Sequence, residues 1–196
     1  VPSGCNGTDS ILVQLKPIPT VVQPANQTLC NGATTNTITF AGAVSGTSFS
    51  WSNNNNTIGL PGSGTGNIAS FTAINLTNAP VTATITVTPT AAGCAGLPQT
   101  FTITVNPTPT VVQPANQVLC NGATTNTITF AGAVSGTTYS WINSNTSIGL
   151  AGSGNGNIPS FTALNGGTTS VTATITVTPT AAGCAGLPQT FTITVN

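Results

Sequence analysis

The chain contains one unit twice. Residues 17–106 align with residues 107–196 without a gap, and the copies differ at only seventeen of the ninety aligned positions. Cys30 falls on Cys120, Cys94 on Cys184 and Trp51 on Trp141. A unit of this length is too long for a solenoid repeat and has the size of a whole β-sandwich. Each copy is therefore expected to fold around its own core. Near-identity of neighbours points to recent duplication, in which the number of copies, and hence length, matters to the protein. Residues 1–16 parallel the end of the unit. Gly4-Cys5-Asn6-Gly7 and Val13-Gln14-Leu15-Lys16-Pro17 follow the pattern of Gly93-Cys94-Ala95-Gly96 and Ile103-Thr104-Val105-Asn106-Pro107, one residue shorter. They read as the last strand of a preceding, diverged repeat.

Inside one unit the hydrophobic pattern has period 2. Val81-Thr82-Ala83-Thr84-Ile85-Thr86-Val87-Thr88 alternates apolar residues with threonine, the signature of a half-buried strand. Val81, Ala83, Ile85 and Val87 are expected inside, with the threonines outside. After Pro89 a connection carries Cys94. Thr100–Val105 then repeats the pattern, with Phe101, Ile103 and Val105 inward, as a hairpin-like partner. Thr37–Phe40 and Ser48–Trp51 alternate likewise, which makes Trp51 and Trp141 core residues. Ile68–Ala73 is a weaker strand around Phe71. Val21-Val22 and the stretch near Leu29 form an edge strand interrupted by Pro24. Clusters of Gly, Asn and Pro separate these runs, and no apolar 3.6-residue period with caps occurs. The fold class is therefore all-β. It comprises two tandem immunoglobulin-like sandwiches, residues 17–106 and 107–196, preceded by a strand from an upstream repeat, residues 1–16.

Charge excludes most chemistry. The chain has one acid, Asp9, and one base, Lys16, and no histidine. General acid–base catalysis needs a titratable group near the working pH, and a Ser or Cys nucleophile needs a base beside it. Calcium sites need several carboxylates, and most zinc sites need His or clustered thiolates. One base cannot hold a phosphate backbone. The expectation is no enzyme, no cofactor, no metal and no nucleic-acid partner. No apolar run is long enough for a membrane-spanning helix. Residues 1–20 lack a basic start followed by an apolar stretch, so any signal peptide is expected to have been removed already.

Five cysteines in so small a chain point to disulfides and an oxidising, extracellular setting. Two pairings are open. Cys30–Cys94 and Cys120–Cys184 would brace each repeat from within. Cys94–Cys120 would lock the junction instead. Cys5 would have its partner upstream. The junction itself, Val105-Asn106-Pro107-Thr108-Pro109-Thr110, has two prolines and no glycine, so stacked units should form a semi-rigid rod.

Cys-Asn-Gly-Ala-Thr-Thr from Cys30 or Cys120, Val-Thr-Ala-Thr-Ile-Thr-Val-Thr-Pro from Val81 or Val171 and Thr-Phe-Thr-Ile-Thr-Val-Asn-Pro from Thr100 resemble PKD-like repeats of very long Bacteroidota surface proteins. Ser-Gly-Thr-Thr-Tyr-Ser-Trp and Gly-Asn-Ile-Pro-Ser-Phe-Thr-Ala in the second repeat carry the same resemblance. Those proteins are exported by the type IX system, and some are gliding adhesins. The resemblance covers residues 17–196. It implies an extracellular, non-enzymatic repeat that builds filaments or stalks on the cell surface and contacts neighbouring repeats. Proteins of that group are also O-glycosylated at Asp-Ser/Thr-aliphatic motifs, which Asp9-Ser10-Ile11 matches, making Ser10 a candidate acceptor. The rival reading is a glycan- or ice-binding module. It would use the outward threonine rows or the loops that differ between copies, Ser52–Thr57 against Ile142–Ser147 and Ile74–Pro80 against Leu164–Ser170. Asn-X-Ser/Thr occurs at Asn6, Asn26, Asn55, Asn75 and Asn145.

Overall fold

The structure, a computed structural model, describes residues 10–196. In the first repeat the strands are β1 (Gln27–Cys30), β2 (Ser48–Asn53), β3 (Ser63–Thr65), β4 (Val81–Ala91), β5 (Cys94–Ala95) and β6 (Gln99–Asn106). The second repeat follows the same order with β7 (Gln117–Leu119), β8 (Thr138–Asn143), β9 (Ser153–Asn155), β10 (Val171–Ala181), β11 (Cys184–Ala185) and β12 (Gln189–Val195). Each main sheet runs β1-β6-β4-β2-β3 or its counterpart, with β5 or β11 added at the end of the long strand.

β4 and β6 form the expected antiparallel pair, with Val81 opposite Val105 and Ile85 opposite Phe101. Ala83, Ile85, Val87, Ile103 and Val105 are fully buried, as the alternation requires. The outward threonines pair across the strands, and the Thr82 and Thr104 hydroxyls lie 2.9 Å apart. The long strand does not stop at Pro89 but runs on to Ala91. The Pro89 carbonyl accepts the Gly96 N–H, so this residue faces the β5 side. Its nitrogen points the same way, beyond Gln99, the first residue of β6, which pairs with Val87. No ladder bond is lost there, and proline is tolerated.

The opposing layer is a sparsely paired ribbon. Ile38 and Ile68 exchange backbone hydrogen bonds, and Thr34 bridges Thr72. Between them lies the core, which holds Trp51, Ile58, Leu60, Ile68 and Phe101; the second repeat has its own, with Trp141, Ile148 and Phe191. The chain before β1 crosses between the layers. Val22 N–H donates to Ala41 on the ribbon side. Past Pro24, β1 pairs parallel with β6, Gln27 opposite Ile103 and Cys30 opposite Asn106. Side chains extend that ladder where the backbone does not: Asn26 Oδ1 accepts the Thr102 N–H at 2.8 Å, and the Gln23 amide donates to the Thr100 carbonyl. The edge strand broken at Pro24 is thus a sheet switch. Residues 10–16 pair with no strand among the described residues, and Ile11, Leu12, Val13 and Leu15 are exposed.

Candidate functional site

The expected cysteine pairings are both replaced by a third. Cys30 of the first repeat is bonded to Cys184 of the second, with Cα atoms 5.6 Å apart. Cys94 and Cys120 are unpaired among the described residues. The topology explains why. Cys30 ends β1 opposite Asn106, at the trailing end of its sandwich. Cys94 follows the turn after Ala91, at the other end of β4 from Val81, which lies opposite Val105. The eleven residues of β4 separate them. At about 3.4 Å per residue that is over 30 Å, and a disulfide needs Cα atoms within about 7 Å. Cys94 and Cys120 lie farther apart still, at the leading end of one repeat and the trailing end of the next. Cys5 lies outside the described residues, as does Asp9 beside the exposed Ser10.

The half-site on the second repeat is a two-residue hairpin turn. Ala181 pairs with Cys184, leaving Ala182 and Gly183 in the loop. Both have positive φ, 48° and 77°, which is the type I′ pattern that matches strand twist. Glycine fits this geometry; alanine adopts it at a cost. The strained turn holds the Ala182 carbonyl toward the first repeat, where Asn106 Nδ2 donates to it at 3.3 Å. Asn31, next to Cys30, donates to Thr108 Oγ1 at 3.1 Å. Pro107 and Pro109 are buried. Junction and bridge together restrain one repeat against the next at three places: covalent, polar and proline.

The loops that differ between copies keep the hydrogen bonds that tie them to neighbouring strands. Asn54 Oδ1 accepts the Thr84 N–H at 2.8 Å, and Ser144 Oγ accepts the equivalent Thr174 N–H at the same distance. Asn75 and Asn165 are buried, and each donates to two carbonyls, Ala79 and Val105 or Thr169 and Val195. Asn75 is therefore closed to a glycan, while Asn55 and Asn145 cap short 3-10 turns. An open groove of about 590 Å³ is lined by Tyr139, Ser140, Asn155 and Thr180, and its counterpart in the first repeat has Phe49 in place of Tyr139. Among the described residues there is no group of three or more His, Cys, Asp or Glu suited to a metal ion. No helix among them is long and apolar enough to cross a membrane.

Residues 27–109 match the family model of the PKD-like domain. None of the curated proteins compared with the chain matches it. Immunoglobulin domains 1 and 2 of DIP-gamma are similar with a TM-score of 0.50 at 13% identity, over 93% of this chain and 99% of that one. Immunoglobulin domains 1–4 of Sidekick-1 give 0.49 at 16% identity, over 91% of this chain and 48% of that one. Mouse cadherin-23 repeats EC22–24 give 0.47 at 12% identity, over 92% and 67%. The chain is two immunoglobulin-like sandwiches in tandem, and its first repeat is similar to PKD-like domains.

Proposed function

We propose that the chain is a structural segment of an extracellular, cell-surface stalk or filament. In this role stacked sandwiches hold a distal partner away from the cell. The observation that carries this reading is the Cys30–Cys184 bridge, which spans two repeats rather than bracing one. A bridge between domains limits their relative motion, as a spacer requires, and a disulfide persists outside the reducing cytosol. The variable loops support scaffold over binder, because their differences conserve backbone hydrogen bonds rather than a shared contact surface. The similarity to PKD-like domains, and the sequence resemblance to bacterial surface repeats, fit the same role. Adhesion belongs to this reading as the task of a distal tip.

Solution scattering of the oxidised chain tests it. Two stacked sandwiches, each as long as an eleven-residue strand, should give one elongated particle with a maximum dimension of roughly 75–80 Å. Labelling of intact producing cells should find the chain at the outer surface. A folded-back pair, a broad distribution of inter-repeat distances, or a chain held inside the cell would each overturn the proposal.

A further inference from the structure

Because the repeats are nearly identical, the Cys30–Cys184 bridge defines a rule. The cysteine ending the first strand of a repeat bonds the turn cysteine of the following repeat. Cys120 is the counterpart of Cys30, and Cys94 the counterpart of Cys184. We propose that Cys120 and Cys94 are half-sites for further copies of this repeat, so that a disulfide crosses every junction of an array. This rests on the reading of the chain as a stalk segment. Cys120 would bond the turn cysteine of a following repeat, and Cys94 the first-strand cysteine of a preceding one.

Two observations beyond the thiols point to a neighbouring repeat as the occupant. The first is the covering of identical residues. Cys30 and Asn31 face the junction and are half-buried, whereas Cys120 and Asn121 at the trailing end of the second repeat are exposed. Pro107, Val134 and Cys184 are buried in the second repeat, whereas Pro17 is exposed and Val44 and Cys94 are half-buried in the first. Each end of the pair therefore presents the surface that the junction covers. The second is a repeated contact. Lys16 stands where Asn106 stands one repeat later, and its Nζ donates to the Ala92 carbonyl at 2.7 Å. This is the counterpart of the Asn106 bond to Ala182. Ala92 and Gly93 also share the positive φ values of Ala182 and Gly183. The Cys94 turn is thus already shaped like the Cys184 turn, and the chain entering it already makes the junction contact.

The bond forms by oxidation. Two thiols lose two protons and two electrons to a disulfide oxidant such as glutathione disulfide, which is reduced to two glutathione thiols as one S–S bond forms.

The test extends the full chain by one more copy of residues 107–196 after Asn196, folded with glutathione disulfide and mapped without reduction. In the original chain, native alkylation should label Cys120. In the extended chain that labelling should be lost, and Cys120 should appear in one peptide pair with the added copy's counterpart of Cys184. Changing Cys120→Ser in the extended chain should expose that counterpart to alkylation and leave Cys30–Cys184 intact. Continued labelling of Cys120 beside an intact Cys30–Cys184 bridge would overturn this inference and leave the stalk reading standing. So would pairing of Cys120 with any other cysteine. Absence of Cys30–Cys184 would overturn both.

Discussion

The Trp51 indole packs against Gly64, so close that a Cβ on that glycine would sit 2.2 Å from Cζ2 of the ring. Gly154 and Trp141 repeat the arrangement with the same distance. The glycines are in β3 and β9, directly opposite the tryptophans. Both indole N–H groups are buried with no hydrogen-bond partner among the described residues. Packing, rather than hydrogen bonding, holds these rings.

Gly64→Ala should therefore destabilise the first repeat by about 1–3 kcal/mol, the usual cost of overfilling a packed site. At an unconstrained strand position the same change would be neutral or favourable. Trp51→Ala should cost about 3–5 kcal/mol in the same repeat. Urea unfolding followed by Trp141 fluorescence should show the second repeat much less affected. Equal loss in both repeats would contradict separate cores.

Much of this was readable in the sequence. The apolar positions of Val81–Val87 and Phe101–Val105 name the buried face, because period 2 forces alternate side chains to one side. The bulk of Trp51 and its place in an alternating run put it in the core. The cysteine pairing was not readable in the same way. Alternation says which face a residue occupies but not which strand lies beside it. Cys30 reaches the trailing end only because β1 runs parallel to β6, and nothing near Gln27–Cys30 signals that partner. The hairpin of β4 and β6 did carry a clue. It places Cys94 in the turn, a full strand length from Val105, which already argues against a bond to anything at the trailing end of the same repeat.

Asn75 ties the loop before β4 to the last strand. Its amide donates to the Ala79 and Val105 carbonyls at 2.8 and 2.7 Å, and its Oδ1 accepts from Thr77. Asn75→Ala leaves these groups unpaired in a buried place. The expected loss is about 2–3 kcal/mol, read from the denaturant midpoint. A change below about 0.5 kcal/mol, the level of an ordinary surface substitution, would show that water replaces the amide.

Ala92 occupies the left-handed region at φ 50° in the turn before Cys94. Ala92→Gly should relieve that strain and stabilise the first repeat by about 0.5–1 kcal/mol. A destabilisation on thermal melting would mean that the gain in unfolded-chain entropy outweighs the relief.

Tyr139 gives the second repeat an alkaline sensitivity that the first lacks, since Phe49 stands at the matching position. Burial of its ring raises the phenol above its ordinary value of 10.0. A raised folded value means that the neutral form is favoured by folding. That stability is fully present below pH 10 and is lost as pH climbs through the raised value. Above pH 10 the second repeat should weaken relative to its Tyr139→Phe variant, beyond whatever difference the two show at pH 8. A constant difference across this range would exclude the phenol as its cause.

Proteolysis joins the bridge to the cores. Trypsin has one candidate bond, Lys16–Pro17, which it cuts poorly, so the chain should resist trypsin even when unfolded. Chymotrypsin has aromatic sites, but Phe40, Trp51 and Phe101 are buried and Phe49 and Phe71 are packed against the core. Cleavage after these aromatic residues therefore needs opening, and its rate follows the open population when reclosing is fast. The bridge limits that population in both repeats. Cys30 lies beside Asn106 in the folded first repeat, so unfolding the second repeat alone still leaves a closed loop of about 80 residues. In the chain-entropy model such a closure contributes about 4–5 kcal/mol. Unfolding the first repeat alone, between Cys30 and Asn106, opens a loop of similar size. Reduction should thus raise the open population of each repeat by about a thousandfold, and chymotrypsin digestion should speed up in both, followed by gel. Acceleration of one repeat only would mean that the bridge does not restrain the other. Equal rates before and after reduction would mean that no bridge spans the junction or that the aromatic residues are not core.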